Sequence, residues 1–263
     1  MNQVKKTIAA FIAAWDMLVD HPLPKISGPL GKKSKVSPGL VLLFFPVTGL
    51  VIGLLPLLAG GFAHLIFNRF AGAFVFAFLG AVIFWYKDSG RSISMLISYA
   101  AARISGLSAA DALENADSSL GNVLKNPVIL MFAVVGQVLV LAMLFALYWG
   151  GAGLWLPAVF AADTFVQGRL CLEPDRNSGR AFIRTAEPEG RSFLAGAGLV
   201  IALAALLVFP RIAALGAFVV IWVWFWRELP ESADFKQGIA PDWISLWGFW
   251  AAVLMLVCGM GLL

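Results

Sequence analysis

The sequence predicts an all-α, polytopic integral membrane protein, a helical bundle of about seven transmembrane helices with a cytoplasmic N-terminus. Composition is the first reason, because 60% of the 263 residues are hydrophobic and only 13% are charged. A soluble domain has about 45–50% apolar and about 25% charged residues, so this chain has too little polar surface to face water on all sides. The other two reasons are long apolar runs and a one-sided distribution of basic residues. We expect a single membrane domain over residues 1–263.

The N-terminal segment, residues 1–38, is predicted to be an interfacial helix followed by a basic stretch. Its apolar part is short, contains Asp16 and lacks a small-residue cleavage site, so we do not expect a signal peptide. An amphipathic helix lying on or beside the membrane accounts for the pattern. Pro22 and Pro24 are expected to end this helix.

Apolar runs that approach the roughly 20 residues needed to cross a bilayer follow along the chain. The predicted spans are Gly39–Ala59, Phe70–Tyr86, Pro127–Trp149, Gly153–Leu170, Phe193–Phe209, Ile212–Trp226 and Trp243–Leu263. The first contains Pro46 and Pro56, which predict a kink or a break, and Gly60–Phe67 could extend it. The fourth is interrupted by Asp163 and Gln167.

The charged residues predict the orientation of these spans. With the N-terminus inside, every lysine and arginine except Arg69 and Arg211 falls on the cytoplasmic side, as membrane proteins prefer. The C-terminus then lies outside. The outer loops are short and nearly uncharged, whereas the inner loops are long and also carry nearly all the acids. We therefore expect any chemistry that needs charged groups at the cytoplasmic face.

The longest inner loop, residues 87–126, is predicted to contain a surface helix and an acidic segment. Apolar residues recur at helical spacing in its first half, namely Ile93, Leu96, Ile97 and Ala100. Ser108 is a plausible N-cap, with Asp111 three residues later. Asp111, Glu114 and Asp117 then share one side of a helix. They form either a Mg²⁺ site, because Mg²⁺ prefers oxygen ligands, or a solvated helix face.

Asp88 lies where the second span would leave the membrane. It is either a further metal carboxylate or the interfacial partner of Lys87 or Arg91. A second inner loop, residues 171–192, is rich in arginine: Arg176, Arg180, Arg184 and Arg191. Arginine suits phosphate because it can donate two parallel hydrogen bonds, although the preference for positive inner loops also explains this composition.

Asp163 lies within a predicted span, where an ionisable side chain is energetically costly and is a functional hypothesis by default. Gln167 is four residues later, on the same helical face, and could hydrogen-bond to it. A structural polar contact between helices is the equal alternative.

Several stretches resemble the cobalamin synthase family, the membrane enzyme adenosylcobinamide-GDP ribazoletransferase. The opening AFIAAWDMLVDHPLPKI is similar to the family's first helix and Leu-Pro-x-Pro-like turn, and VSPGLVLLFFPVTGLVIGLL to its Phe-Pro-x-x-Gly span. LENADSSLGN is similar to the family's Asp-Ser-Arg-x-Gly segment, and AFIRTAEPEGRSFLAGAGLVIALAALL to its later loop and span. The resemblance covers most of the chain, and the Phe-Pro-x-x-Gly stretch is its specific part.

The family's acidic motif, His-Leu-Asp-Gly-Leu-Ala-Asp-Thr, corresponds here to YKDSGRSI. Asp88 keeps the first aspartate, Ser92 stands near the second, and Asp117 keeps the aspartate of the later segment. The chain therefore resembles a diverged member that lacks most of this motif.

The resemblance implies a transferase that joins GDP-activated adenosylcobinamide to α-ribazole at the cytoplasmic (inner) membrane and releases GMP. Asp88 and Asp117 would be catalytic and would hold Mg²⁺ with Asp111 and Glu114, a role that the handling of pyrophosphate requires. Substrate phosphate would bind Arg91, Arg176 and Arg180.

Other functions remain open beside the transferase. The chain could be a catalytically silent scaffold or subunit, or a transporter built around Asp163; a CDP-alcohol phosphotransferase is disfavoured because its dense Asp-x-x-Asp-Gly cluster is absent. The net charge of +4 does not favour nucleic acid as a partner. The scattered cysteines and histidines do not predict zinc or a disulfide framework. Homo-oligomerisation is left open.

Overall fold

The fold consists of α-helices throughout the described part of the chain, residues 3–19, 38–87, 90–108, 111–112, 127–170 and 241–260 of the computed structural model. Seven helices are assigned within these ranges. They are α1 (Gln3–Leu18), α2 (Pro38–Ile66), α3 (Arg69–Tyr86), α4 (Arg91–Ile104), α5 (Pro127–Trp149), α6 (Trp155–Leu170) and α7 (Pro241–Met260). The all-α prediction is confirmed for these ranges.

Five of the predicted spans correspond to observed helices with shifted ends. The first is one continuous 29-residue helix, α2, which runs through Pro46 and Pro56 and reaches Ile66. The expected break is therefore absent, and the predicted extension is present. The fourth and seventh spans correspond to α6 and α7. The predicted spans at 193–209 and 212–226 lie outside the described residues, as does the Arg-rich loop at 171–192.

Helix α6 is central to the packing. From Trp155 to Gln167 its side chains are buried, apart from the half-buried Phe165. Helices α2 and α7 both pack closely against α6, while α3 packs on α2 and α5. Such a helix has no polar face to turn outward, so any polar side chain on it must find its partner inside the protein.

Glycine allows α2 to approach α6 closely. A Cβ atom at Gly49 would overlap the Phe160 carbonyl oxygen and the Thr164 hydroxyl, and one at Gly53 would overlap the backbone of Pro157. Small residues permit this kind of contact between helix backbones. The first predicted span is therefore a packing element of the core.

Helix α1 packs against α2. Ala10, Ala14 and Trp15 are buried, and the ring of Phe11 meets that of Phe44 edge-on at 6.0 Å. The helix ends at Leu18, before Pro22 and Pro24, which lie outside the described residues. One continuous apolar cluster includes buried residues from each of the seven helices, α1 to α7.

The start of α3 contacts the end of α5 through a hydrogen bond and a cation–π interaction. Arg69 donates a hydrogen bond to the Trp149 carbonyl oxygen, and its guanidinium lies 5.0 Å from the centre of the Trp149 ring. Asn68 caps α3, its side-chain oxygen accepting the Ala71 N–H at 2.8 Å. A cation at the last carbonyls of α5 also interacts favourably with the helix dipole.

By length and composition, one helix in the described ranges is able to cross a membrane, Gly39–Ile66, with a mean hydropathy of 2.5. The other apolar helical stretches within those ranges are shorter: Arg69–Trp85, Ile93–Ile104, Ala133–Trp149 and Gly248–Val257.

Candidate functional site

A polar cluster lies on the buried helix α6. Asp163 and Thr164 are each 1% exposed and Gln167 is 7% exposed. Residues four apart share a helical face, and the Gln167 Nε2 donates to Asp163 Oδ1 at 2.8 Å. The predicted hydrogen bond between these two side chains is confirmed.

Lys87 completes the cluster from a different helix. It directly follows α3, is 2% exposed, and forms an ion pair with the second carboxylate oxygen of Asp163. Its backbone N–H continues the helical pattern by donating to the Ile83 carbonyl at 3.0 Å. Ions buried in protein are tolerated when they are paired and hydrogen-bonded, and Asp163 meets both conditions.

The position of Lys87 differs from the sequence prediction. Lys87 was predicted at the cytoplasmic interface, but its side chain is buried and pairs with Asp163 on α6. Asp88, for which Lys87 was one of two possible partners, lies outside the described residues. The reason is geometric, since a lysine stem of four methylenes at the end of α3 extends into the core and carries the ammonium to α6.

Helix α7 covers the cluster at Gly248. A Cβ atom there would overlap the Asp163 carboxylate and would lie 2.7 Å from Gln167 Nε2. A larger residue would displace the amide or the carboxylate. The close approach of α7 therefore holds both side chains in their hydrogen-bonded orientation and excludes water from them.

Two threonines add hydroxyl groups near the same level of the bundle. Thr164 donates within its own helix to the Phe160 carbonyl at 3.0 Å. Thr48 on α2 is completely buried, and its hydroxyl has no hydrogen-bond partner among the residues that the structure describes. Thr48 precedes Gly49, the residue that brings α2 against Thr164.

The described chain resumes three residues after Lys87, at Gly90. Gly90 adopts a left-handed conformation, with φ of 76°, and precedes α4. Its carbonyl accepts both the backbone N–H of Ser94 at 3.0 Å and the buried Ser94 hydroxyl at 2.8 Å. A left-handed residue without a Cβ carries no steric penalty, so glycine suits this turn.

The predicted surface helix is confirmed as α4, but it packs more deeply than expected. Ile93 and Ile97 are buried, Leu96 is half-buried, and Ala100 is exposed. Helix α4 contacts α7 and, less extensively, α5. Its amphipathic face is thus covered by protein.

The predicted N-cap at Ser108 is also confirmed. The Ser108 hydroxyl donates to Asp111 Oδ2 at 2.6 Å and accepts the Asp111 backbone N–H at 3.2 Å. The arrangement satisfies a backbone donor that the start of a helix leaves without an intrahelical acceptor. Asp111 is exposed, so its carboxylate takes part in a cap at the protein surface.

Most of the predicted site lies outside the described residues. Of the four predicted metal carboxylates, Asp111 lies in a described range, and the other three fall outside the described residues: Asp88, Glu114 and Asp117. Arg176 and Arg180 also lie outside them, and of Arg91 the structure describes the backbone at the start of α4. Within the described ranges, no group of three or more His, Cys, Asp or Glu side chains is placed to hold a metal ion.

Sequence reasoning missed the role of Lys87. The sequence feature that could have indicated it is the opposite charge of Lys87 and Asp163. Each lies at or within an apolar run, where an ionisable side chain needs a partner. Their pairing could not be inferred without knowing that the end of α3 lies beside α6.

Among known proteins, no family model, no curated protein and no solved structure matches this chain.

Proposed function

We propose that the chain is a multi-pass protein of the cytoplasmic (inner) membrane, with its N-terminus and long polar loops on the cytoplasmic side. The support is an outward face that is apolar on several neighbouring helices. On α3, Phe70, Phe74 and Phe78 recur every four residues and are 61%, 51% and 51% exposed. The exposed apolar residues of α2 and α5 are Leu58, Phe62, Leu65, Ile66, Leu130, Met131, Val134, Val135, Val138 and Leu139.

This exposed apolar face is suited to contact with membrane lipid. Soluble monomers rarely expose contiguous apolar patches larger than a few hundred Å². Helix α2 is long and apolar enough to cross a hydrocarbon core, and α5 carries no charged side chain along its 23 residues.

Orientation can be tested with single cysteines in a chain whose native Cys171 and Cys258 are replaced by serine. We expect Gly150→Cys, between α5 and α6, to react with an impermeant maleimide in intact cells. Leu107→Cys, after α4, should react only after the membrane is opened. Equal labelling of both positions in intact cells, or release of the protein from membranes at alkaline pH, would contradict the proposal.

We further propose that the protein is a transferase of the cobalamin synthase type, which joins nucleotide-activated adenosylcobinamide to α-ribazole. The support for this proposal is the sequence of YKDSGRSI, in which Asp88 keeps the first aspartate of the family's acidic motif. Of its neighbours, Lys87 pairs with Asp163 in the core, and the Gly90 carbonyl accepts the Ser94 hydroxyl at the start of α4. Asp88 itself lies outside the described residues.

The reaction is a substitution at phosphorus. The α-ribazole hydroxyl oxygen forms a bond to the phosphorus that bears the corrinoid, the bond from that phosphorus to GMP breaks, and the hydroxyl proton passes to solvent. Arg91, Arg176 and Arg180 would bind the phosphate oxygens and orient the phosphorus for attack.

The carboxylates of the predicted site suit Mg²⁺, because carboxylate oxygens are the ligands that this ion prefers. Substrate phosphates often complete its coordination shell. Asp88 and Asp117 would hold the ion, with Asp111 and Glu114 in support. When bound, it would neutralise charge that develops on the pyrophosphate.

The test is Mg²⁺-dependent formation of cobalamin and GMP from adenosylcobinamide-GDP and α-ribazole in nanodiscs. We expect activity in the wild type and its loss in Asp88→Ala/Asp117→Ala. Glu187→Ala/Glu189→Ala is the matched control, because it removes two inner-loop carboxylates that are not assigned to the site. A wild type that neither binds nor converts these substrates would contradict the transferase and favour the silent scaffold.

The buried Asp163 favours one second candidate, a transporter. Ionisable groups inside a membrane commonly mark ion and substrate pathways, and Asp163 is paired with Lys87 deep within the bundle. A transporter predicts substrate uptake that Asp163→Asn abolishes while Asp88→Ala leaves it unchanged. The transferase predicts the opposite sensitivity to Asp88→Ala.

A further inference from the structure

A cation lies on the exposed apolar side of the bundle, at the end where α3 begins and α5 ends. Arg69, the first residue of α3, is exposed. Its guanidinium lies 5.0 Å from the centre of the Trp149 ring and donates a hydrogen bond to the Trp149 carbonyl oxygen. These two contacts define where the positive charge lies, and the proposed reaction assigns it no role.

The segments that form this end of the bundle contain no carboxylate to pair with the cation. The connection from α2 to α3 lies within residues 21–87, the connection from α5 to α6 lies within residues 118–162, and neither stretch contains Asp or Glu. A guanidinium has five N–H donors in a planar fork. The Trp149 carbonyl cannot use all of them, so donors remain for an anion that these segments do not supply.

Aromatic rings continue from the cation along the exposed surface. Trp149 stacks on Phe145 with ring centres 5.9 Å apart, and Phe145 meets Phe70 edge-on at 5.7 Å. Phe74 and Phe78 extend the exposed face of α3, and their rings stack at 6.3 Å. At about 1.5 Å per residue, the stretch from Phe70 to Phe78 covers about 12 Å of helix. A cation thus lies at one end of a long apolar face, which is the arrangement that a phospholipid needs.

We infer that Arg69 and Trp149 form a binding site for the phosphate of an anionic phospholipid whose acyl chains lie along the exposed phenylalanines of α3. Tryptophan suits the level of the headgroups because its ring is amphipathic. Arginine suits phosphate because it can donate two parallel hydrogen bonds. A positive charge without a carboxylate in the same segments favours a headgroup that is negative overall. The inference rests on the proposed membrane location and is independent of the proposed reaction.

The exposed face of α5 provides an internal comparison. Val134, Val135, Val138 and Leu139 are exposed, and α5 carries no charged side chain. This face should therefore contact lipid tails without preference for the charge of the headgroup.

The site can be tested in nanodiscs by photo-crosslinking with phosphatidylglycerol that carries a diazirine in its acyl chain, read by mass spectrometry of peptides. Over residues 68–80 of the wild type, unlabelled phosphatidylglycerol should compete about fivefold better than uncharged galactosyl diacylglycerol, the effect of one arginine near an anionic lipid surface. Over residues 134–139 the two lipids should compete equally. Equal competition over residues 68–80 would overturn the inference, and so would competition by soluble glycerol phosphate, which would indicate a site for free phosphate.

Substitution of the arginine gives a second test. Arg69→Gln should reduce labelling over residues 68–80 about fivefold, while labelling over residues 134–139 stays unchanged and shows that the variant is inserted. Arg103→Gln is the matched control, because Arg103 on α4 is also exposed and also donates to a backbone carbonyl, that of Leu107 at 2.7 Å. It should leave labelling over residues 68–80 as in the wild type. Equal labelling of that stretch in Arg69→Gln and the wild type would refute the site.

The same labelling separates the lipid site from the membrane location on which it rests. If no lipid labels either the α3 face or the α5 face, the membrane location is wrong and the site fails with it. If both faces are labelled but headgroup charge makes no difference over residues 68–80, the membrane location holds and the site alone is refuted.

Discussion

Loss of one partner of the Lys87–Asp163 pair should destabilise the protein far more than loss of both. Both side chains are almost completely buried, at 3% and 1% exposure. Removing one partner leaves the other charge in the interior without compensation, which lowers the free energy of unfolding by about 3–5 kcal/mol. We expect this loss for Lys87→Met and for Asp163→Asn separately.

The double variant should be within about 1 kcal/mol of the wild type, because it contains no buried unpaired charge. The amide oxygen introduced by Asp163→Asn would still accept the Gln167 hydrogen bond that Asp163 now accepts at 2.8 Å. If the two positions were independent, the double variant would instead lose about 6–10 kcal/mol, the sum of the single losses. The gap between these outcomes is large enough to measure.

Unfolding in mixed micelles, followed by tryptophan fluorescence, is a suitable assay because buried Trp85 and Trp155 lie in the same apolar cluster. Lys5→Met serves as the single-charge control and should unfold as the wild type does. Additive losses in the double variant would refute the pairing, and losses below about 1 kcal/mol in both single variants would refute the burial of the charges.

Substitutions at Gly49, Trp155 and Ser108 test the contacts that hold the bundle and the start of the acidic segment. Gly49→Ala should lower the free energy of unfolding by about 1–3 kcal/mol, because its Cβ would overlap the backbone of α6. A Cβ atom at Gly61 in the same helix would meet no neighbouring heavy atom within 4 Å among the described residues, so Gly61→Ala should instead raise stability by about 0.5–1 kcal/mol. Losses of equal size at both glycines in chemical denaturation would contradict the packing argument. Trp155→Phe should cost about 1 kcal/mol in the same assay, since it removes a 2.7 Å hydrogen bond to the Met255 carbonyl, and an unchanged midpoint would show that this bond contributes nothing. Ser108→Ala removes the N-cap and should speed amide exchange in the acidic segment, whereas Ser108→Thr should preserve protection; equal exchange in the two variants would argue against the cap.

Local contacts were predictable from the amino-acid order. The bond between Gln167 and Asp163 joins residues four apart, and the cap of Ser108 on Asp111 joins residues three apart. One turn of helix brings such pairs together whatever the rest of the fold does. Long apolar runs likewise predicted α2, α3, α5, α6 and α7, because burial of apolar side chains and satisfaction of the backbone both favour helices there.

One local prediction left two outcomes open. Proline at positions 46 and 56 suggested a kink or a break, and α2 continues through both residues without a break. Packing of α2 on α6 stabilises the continuous helix against the hydrogen bonds that proline removes. Asp163 and Gln167 interrupt an apolar run, and the helix that carries them, α6, is buried from Trp155 to Gln167 apart from the half-buried Phe165.

The partner of Lys87 depends on the arrangement of helices in space. Lys87 follows α3 and Asp163 belongs to α6, and no sequence spacing relates them. They meet because α2 packs on both of those helices, through glycines that allow it to approach α6, while α7 covers the pair at Gly248. The amino-acid order thus determined which charged residues need a partner inside the protein. The packing of the bundle determined which partner each one has. The reason is that a buried charge is stabilised only by a group that the fold brings within contact distance.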